Sequence, residues 1–248
     1  GGHAALRSKV QAFTDALLAS DPPITGMDKS ILMQPVRLHI TLGVMTLNED
    51  SNPVNETVEG PGATETQPEQ PPRTVSDALA LLYSLKDAIV EELGSESKDL
   101  IIPLNKMDVL KTEAGQMAHV LWAGPKPSRE KSPLDRVSNL VNKAFRENGF
   151  ITEKRPLKLH CTIINTKYRK GGKGRPIPFS KEEIFSSPAY QNLQPNSSAN
   201  ANEPGSSSSV HGDVDFGSWT VGDIHLCAMS GRDPITGGYR SVGSLKFS

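Results

Sequence analysis

Aromatic side chains, cysteines, an excess of either charge and long apolar runs are all scarce in this 248-residue chain. Aromatics are only 5% of it, with Trp122, Trp219 and Tyr168 the candidates for stacking on a base. A protein that grips long single strands needs a ring for each stacked base, so this scarcity favours a small pocket for one strand end over an extended track. The 27 basic and 28 acidic residues nearly cancel. Nucleic acid therefore feels no global attraction, and any such binding must come from a local patch. The two cysteines, Cys161 and Cys227, each lie in an apolar strand-like run. That excludes a disulfide framework and favours an intracellular, reducing compartment. No apolar run approaches a membrane span, and the start Gly1-Gly2-His3 has neither an initiator Met nor a signal-peptide core. A soluble piece of a longer protein is expected.

Two catalytic classes also lack their parts. There is no His-Glu-x-x-His, no Cys-x-x-Cys and no carboxylate cluster near the motifs described next, so no metal or cofactor is expected. There is no Gly-x-Ser-x-Gly elbow for a serine triad either.

What the chain does have is a doubled hexapeptide. Arg37-Leu38-His39-Ile40-Thr41-Leu42 returns as Lys158-Leu159-His160-Cys161-Thr162-Ile163. Each copy has the period-two pattern of a half-buried strand. Alternation places Arg37, His39 and Thr41 on one face and Val36, Leu38, Ile40, Leu42 and Val44 on the other. It sorts Lys158, His160 and Thr162 against Leu157, Leu159, Cys161 and Ile163 in the same way. The apolar faces need a core. The polar faces are costly to bury unpaired, at roughly a few kcal/mol per group, and call for a shared solvent-filled cleft. The same alternation turns Cys161 away from His160, so the thiol reads as structural rather than as a nucleophile.

Around the motifs, helical spacing of Leu6, Val10, Phe13, Leu17 and Leu18 predicts a helix over residues 4–19, stopped by Asp21-Pro22-Pro23. A strand over 36–47 carries the first motif. A helix over 75–93 has Leu79, Leu82, Leu85, Ile89 and Val90 as its inner stripe and Gly94 as its stop. Residues 100–110 and 117–123 read as a hairpin. Ser132-Pro133 opens a helix with Leu134, Val137, Leu140, Val141 and Phe145 inward, closed by Asn148-Gly149. A helix of similar length thus precedes each motif. Residues 219–229 and 239–247 form a C-terminal hairpin. Residues 48–73 and 187–213 lose apolar periodicity and read as flexible insertions in a single domain spanning 1–248. Hairpins among interleaved helices predict an α+β fold of two similar lobes, with antiparallel sheets, helices on the outer faces and a central cleft.

The chemistry follows from residue types. Phosphodiester cleavage needs one group to accept a proton from the attacking oxygen and another to donate one to the leaving oxygen. Histidine, with an unperturbed pKa near ~6.5, serves in either state. His39 and His160 opposed across a cleft would flank one phosphorus, with Thr41 and Thr162 donating to its non-bridging oxygens. Arg37 and Lys158 either add positive charge or mark the solvated strand ends. The basic stretch from Lys167 through Tyr168, Arg169 and Lys170 to Arg175 contains no acid. It reads as a solvated loop or as a phosphate or RNA contact, the latter favoured because it leaves the strand of His160. His119 and His225, without a Thr or Ser two positions on, and the outlying His3 and His211 read as structural or incidental.

This pattern resembles the two-histidine (2H) phosphoesterase superfamily, marked by paired His-x-Thr/Ser strands in two pseudo-symmetric lobes. Met27-Asp28-Lys29-Ser30 ahead of the first motif, Asn165-Thr166-Lys167-Tyr168-Arg169-Lys170 after the second, and Ile224-His225-Leu226-Cys227-Ala228-Met229 look like one branch. That branch includes the phosphoesterase domains of A-kinase anchor protein 7 and of activating signal cointegrator 1 complex subunit 1. The resemblance covers nearly the whole chain outside the two insertions. It implies His39 and His160 as a metal-independent catalytic pair and Thr41 and Thr162 as phosphate ligands. Arg37, Lys158, Tyr168, Arg169 and Lys170 are the further substrate-binding candidates. The implied substrate is an RNA end, a 2′,3′-cyclic phosphate or a 2′,5′-linked oligonucleotide. The alternative it implies is a non-catalytic RNA-binding or scaffold subunit, with protein partners, in nuclear transcription coactivation or alkylation repair; a cytoplasmic location also fits. Any KH domain lies outside these residues.

Overall fold

Leu6, Val10, Phe13 and Leu17 recur every three or four residues, so the helix α1 (Ala4–Leu18) buries all four on one side. Each contributes about 1.5–3 kcal/mol on leaving water. Leu18, expected on the same stripe, turns outward. The protein is described here by a computed structural model covering residues 3–48, 73–94, 99–171, 176–195 and 212–247. Beyond α1 the elements are α2 (Val75–Ser84), α3 (Lys86–Leu93), β1 (Leu100–Pro103), β2 (Lys106–Glu113), β3 (Met117–Gly124), α4 (Pro133–Glu147), β4 (Cys161–Asn165), β5 (Phe179–Ser180), α5 (Lys181–Ser186), α6 (Pro188–Gln191), β6 (Ser218–Val221), β7 (Asp223–Ala228) and β8 (Arg240–Lys246).

Caps fix where the two longest later helices begin. Thr74 and Asp77 exchange side-chain and backbone bonds at the start of α2, and Ser132 and Asp135 do so at α4, with Pro133 at its first turn. The helix expected over 75–93 is divided at Leu85, whose N–H reaches back three residues to Leu82. This tightened turn leaves Ala78, Leu82, Ile89 and Leu93 all buried.

The expected hairpin is β2–β3, and β3 continues antiparallel to β4 and to β5. Its first strand is interrupted after Pro103, because β1 leaves to pair with β6. The C-terminal run likewise divides at Gly222 into β6 and β7, and β7 forms the expected hairpin with β8. Two hydrophobic cores result. One gathers α1, the β2–β3–β4 sheet, α5 and α6. The other gathers α2, α3, α4, β1 and β8. The α+β expectation with antiparallel sheets is met.

The first motif departs from the expected strand. Residues 35–37 form a 3-10 turn opened by Pro35, and the segment touches β4 only through single antiparallel bridges, Leu32 to Ile164 and Ile40 to Cys161. The turn pushes the chain away from β4 between them, so no continuous ladder forms. The apolar face is correspondingly shorter: Leu38 and Ile40 pack on the first core and Leu42 on the second, while Val36 and Val44 are exposed.

Most of the two expected insertions lies outside the described residues, but their edges do not. Asn48 is bridged to Thr74 and bonded to Arg73 and Val75, so residues 48 and 73 meet. Residues 187–195 are folded: Ser187 caps α6, and the buried Tyr190 hydroxyl accepts from the Gly212 N–H at 2.8 Å. Serine and proline here open a helix, which composition alone reads as low complexity.

Candidate active site

The Ile40–Cys161 bridge sets the register of the two motifs. Neighbours of an antiparallel pair are themselves opposed, so His39 lies across from Thr162 and Thr41 across from His160. Ile40 and Cys161 point into the core, and the four polar residues share the other face. The two histidines are therefore diagonal to each other across this single bridge.

Both rings are held identically. His39 Nδ1 lies 2.7 Å from the Arg37 carbonyl, and His160 Nδ1 lies 2.7 Å from the Lys158 carbonyl. A carbonyl can only accept, so each Nδ1 carries the proton and each neutral ring presents a lone pair at Nε2. Neither Nε2, nor the hydroxyl of Thr41 or Thr162, has a partner among the described residues. By contrast, His119 is bonded at both nitrogens, to Thr166 at 2.7 Å and Glu113 at 2.8 Å. His225 is likewise occupied by Ser241 at 3.0 Å and Asp223 at 3.1 Å. Among the described residues no group of three or more His, Cys, Asp or Glu is placed to hold a metal ion.

The surroundings of the two rings differ. Tyr239 packs edge-on against His39, with centroids 4.8 Å apart, and shares a hydrogen bond with Tyr168. Burial, then Tyr168, raises the Tyr239 hydroxyl above the ordinary tyrosine range. Arg37 donates from Nε to the Gly237 carbonyl at 3.3 Å, tying the first motif to the β7–β8 turn. On the other side Trp122 packs edge-on against His160 at 6.3 Å, and the Lys158 ammonium lies 4.4 Å over the Trp122 ring.

Cys161 is buried beneath the pair. Burial pushes its thiol up to about 12, outweighing a bond from the His39 backbone N–H. Such a thiol is no nucleophile near neutrality.

The stretch after the second motif divides its duties. Asn165 caps a 3-10 turn, Thr166 is buried against His119, and only Tyr168 reaches toward the His39 side. Arg169 donates to the Gly26 and Ile177 carbonyls, and the Lys170 N–H to Ser30 Oγ at 2.9 Å. Arg169 thus serves to fix the loop bearing Asp28 and Ser30, whereas the Lys170 side chain is exposed. Residues 172–175 lie outside the described residues. Tyr239 and Asn142 were not foreseen. Asn142 is buried on α4 and donates to the Leu42 carbonyl at 2.6 Å, holding the segment just past Thr41. A polar residue next to Val141 on the inner stripe of α4 was its only signal.

Comparison with known proteins matches residues 70–247 to the AKAP7 2'5' RNA ligase-like domain. The match contains His160 and Thr162, and the first motif precedes it. An uncharacterized protein of Schizosaccharomyces pombe is 31% identical over 112 residues, 45% of this chain. That stretch spans about half of the relative, 49% of its length. No helix among the described residues is long and apolar enough to cross a membrane. With the family match running across both cores and through the second His-x-Thr segment, the chain belongs to the AKAP7 2'5' RNA ligase-like domain family of the 2H phosphoesterase superfamily.

Proposed function

We propose that this protein is a 2H phosphodiesterase that acts, without a metal, on RNA ends, 2′,3′-cyclic phosphates or 2′,5′-linked oligonucleotides. The observation that carries the reading is the matched pair of imidazoles. Each has its Nδ1 proton committed to its own backbone and an unpartnered Nε2 on the face shared with two unpartnered threonine hydroxyls.

One Nε2 takes the proton of the attacking oxygen, a water in hydrolysis of a cyclic phosphate. The other imidazole, protonated at Nε2, gives its proton to the departing ribose oxygen as the P–O bond breaks. The Nδ1–H bond to a carbonyl persists in both states and steadies the imidazolium. Thr41 and Thr162 donate to the non-bridging oxygens as charge builds there. Arg37, Lys158, Tyr168 and Lys170 border the strand on either side, and Arg169 acts through the loop it fixes.

The test is turnover of 2′,3′-cyclic nucleotides, 2′,5′-oligoadenylate and 3′-tailed RNA in EDTA, for wild type, His39→Ala and His160→Ala. Each substitution is expected to cost about 10²–10⁴-fold, and wild-type kcat/KM to follow a bell-shaped pH profile. Turnover unchanged by both substitutions refutes the mechanism. RNA binding without turnover supports instead a scaffold subunit of a nuclear coactivator or repair complex.

A further inference from the structure

The ladder between β3 and β4 ends at the pair Ala123 and Cys161. One step further along the same antiparallel register, Gly124 comes opposite His160. Gly124 is buried, and a Cβ built there would lie 2.8 Å from the Leu159 carbonyl oxygen and 3.0 Å and 3.3 Å from Cζ3 and Cε3 of Trp122. Carbon and a carbonyl oxygen ordinarily meet no closer than about 3.3 Å. The backbone of Gly124 lies outside the left-handed region, so this close approach is what asks for glycine here.

Any side chain at 124 would force a movement, and what holds each partner decides which one moves. Gly124 is paired with Lys106 on β2, its carbonyl accepts from the Asn105 N–H at 3.1 Å, and the Asn105 side chain accepts from the Lys126 N–H at 2.8 Å. The end of β3 is pinned. β4 begins only at Cys161, so Leu159 and His160 lie outside the ladder and yield first. A peptide group is planar, so displacing the Leu159 oxygen tilts the whole Leu159–His160 peptide and turns the His160 backbone with it. The ring cannot stay behind unstrained, because its Nδ1 is held 2.7 Å from the Lys158 carbonyl.

We infer that Gly124 is a positioning residue for His160, acting through the Leu159 carbonyl: its missing side chain sets where Nε2 of that histidine points. The inference rests on the phosphoesterase reading above and adds to it a residue outside both motifs.

The test is Gly124→Ala. One methyl added at the end of a strand costs a modest part of a domain's stability, so the variant folds. Its kcat on a 2′,3′-cyclic nucleotide is expected to fall about tenfold with KM within about twofold, since a misaimed group loses rate rather than binding. Histidine ring signals in the ¹H–¹³C spectrum, assigned by their loss in His39→Ala and His160→Ala, supply a readout that does not depend on turnover. Those of His160 should move, and those of His39 should stay. Adding Trp122→Phe to Gly124→Ala shrinks the contact with the ring and leaves the contact with the carbonyl, so the defect should persist. The inference is overturned if the His160 signals of Gly124→Ala coincide with wild type, if the His39 signals move as far, if kcat is unchanged, or if the double variant regains wild-type kcat. The catalytic reading fails on a separate result, turnover that survives loss of both histidines, and the ring signals test Gly124 in that case too.

Discussion

Ionising Cys161 would place a charge under the contact that joins the two motifs. The residue is 4% exposed and bridged to Ile40, and burial raises its thiol from the ordinary 9.0 to about 12. The unfolded chain loses this proton near its ordinary value, while the folded chain keeps it. Across that window the unfolded state binds fewer protons, so stability falls as pH rises. Each pH unit removes about 1.4 kcal/mol, which amounts to ~2 kcal/mol by about pH 10.5 and ~4 kcal/mol by about pH 12. Cys161→Ala abolishes this loss at the cost of a buried sulfur, about 1 kcal/mol. The variant should therefore be the less stable at pH 8 and the more stable at pH 10.5. Urea unfolding of both proteins in matched buffers reads this directly, because every other titrating group cancels in the difference. Two stability curves that stay parallel from pH 8 to 10.5 would refute the reasoning.

Other substitutions separate positioning from chemistry. Asn142→Leu leaves the Leu42 carbonyl without its donor; unfolding stability should fall by about 1–3 kcal/mol, and kcat should drop more than KM rises. Arg169→Met removes donors to the Gly26 and Ile177 carbonyls and should lower Tm by several degrees in a calorimetric scan while both histidine bonds survive. Tyr239→Phe keeps the ring against His39 and loses the bond to Tyr168; activity should change less than about threefold, whereas Tyr239→Ala should cost clearly more.

The α+β class, α1, α4 and both hairpins were legible because they rest on local periodicity and on capping residues such as Ser132. What escaped depended on partners distant in sequence. Residues 36–47 alternate like a strand, but the Pro35 turn and the single bridge at Ile40 deny them a ladder. Residues 100–110 read as one strand, yet β1 answers to β6, more than a hundred residues away. The candidate site shows the same division. His39, Thr41, His160 and Thr162 announce themselves by repetition, while Tyr239 comes from the end of the β7–β8 turn, to which Arg37 is bonded. Arg169 advertises charge and spends it on carbonyls.

The two motifs pass between the cores in opposite directions. Leu38 and Ile40 pack on the first core and Leu42 on the second, whereas Leu159 packs on the second and Cys161 on the first. This antiparallel crossing is why each histidine faces the other motif's threonine, and it makes the two imidazoles equivalent in tautomer and tether. Equivalent groups cannot divide acid from base work by themselves. The asymmetry lies around them: Trp122, under the Lys158 ammonium, adjoins His160, and Tyr239 closes the side of His39. On the proposed mechanism, these unlike surroundings are what distinguishes the imidazole that starts as base from the one that starts as acid.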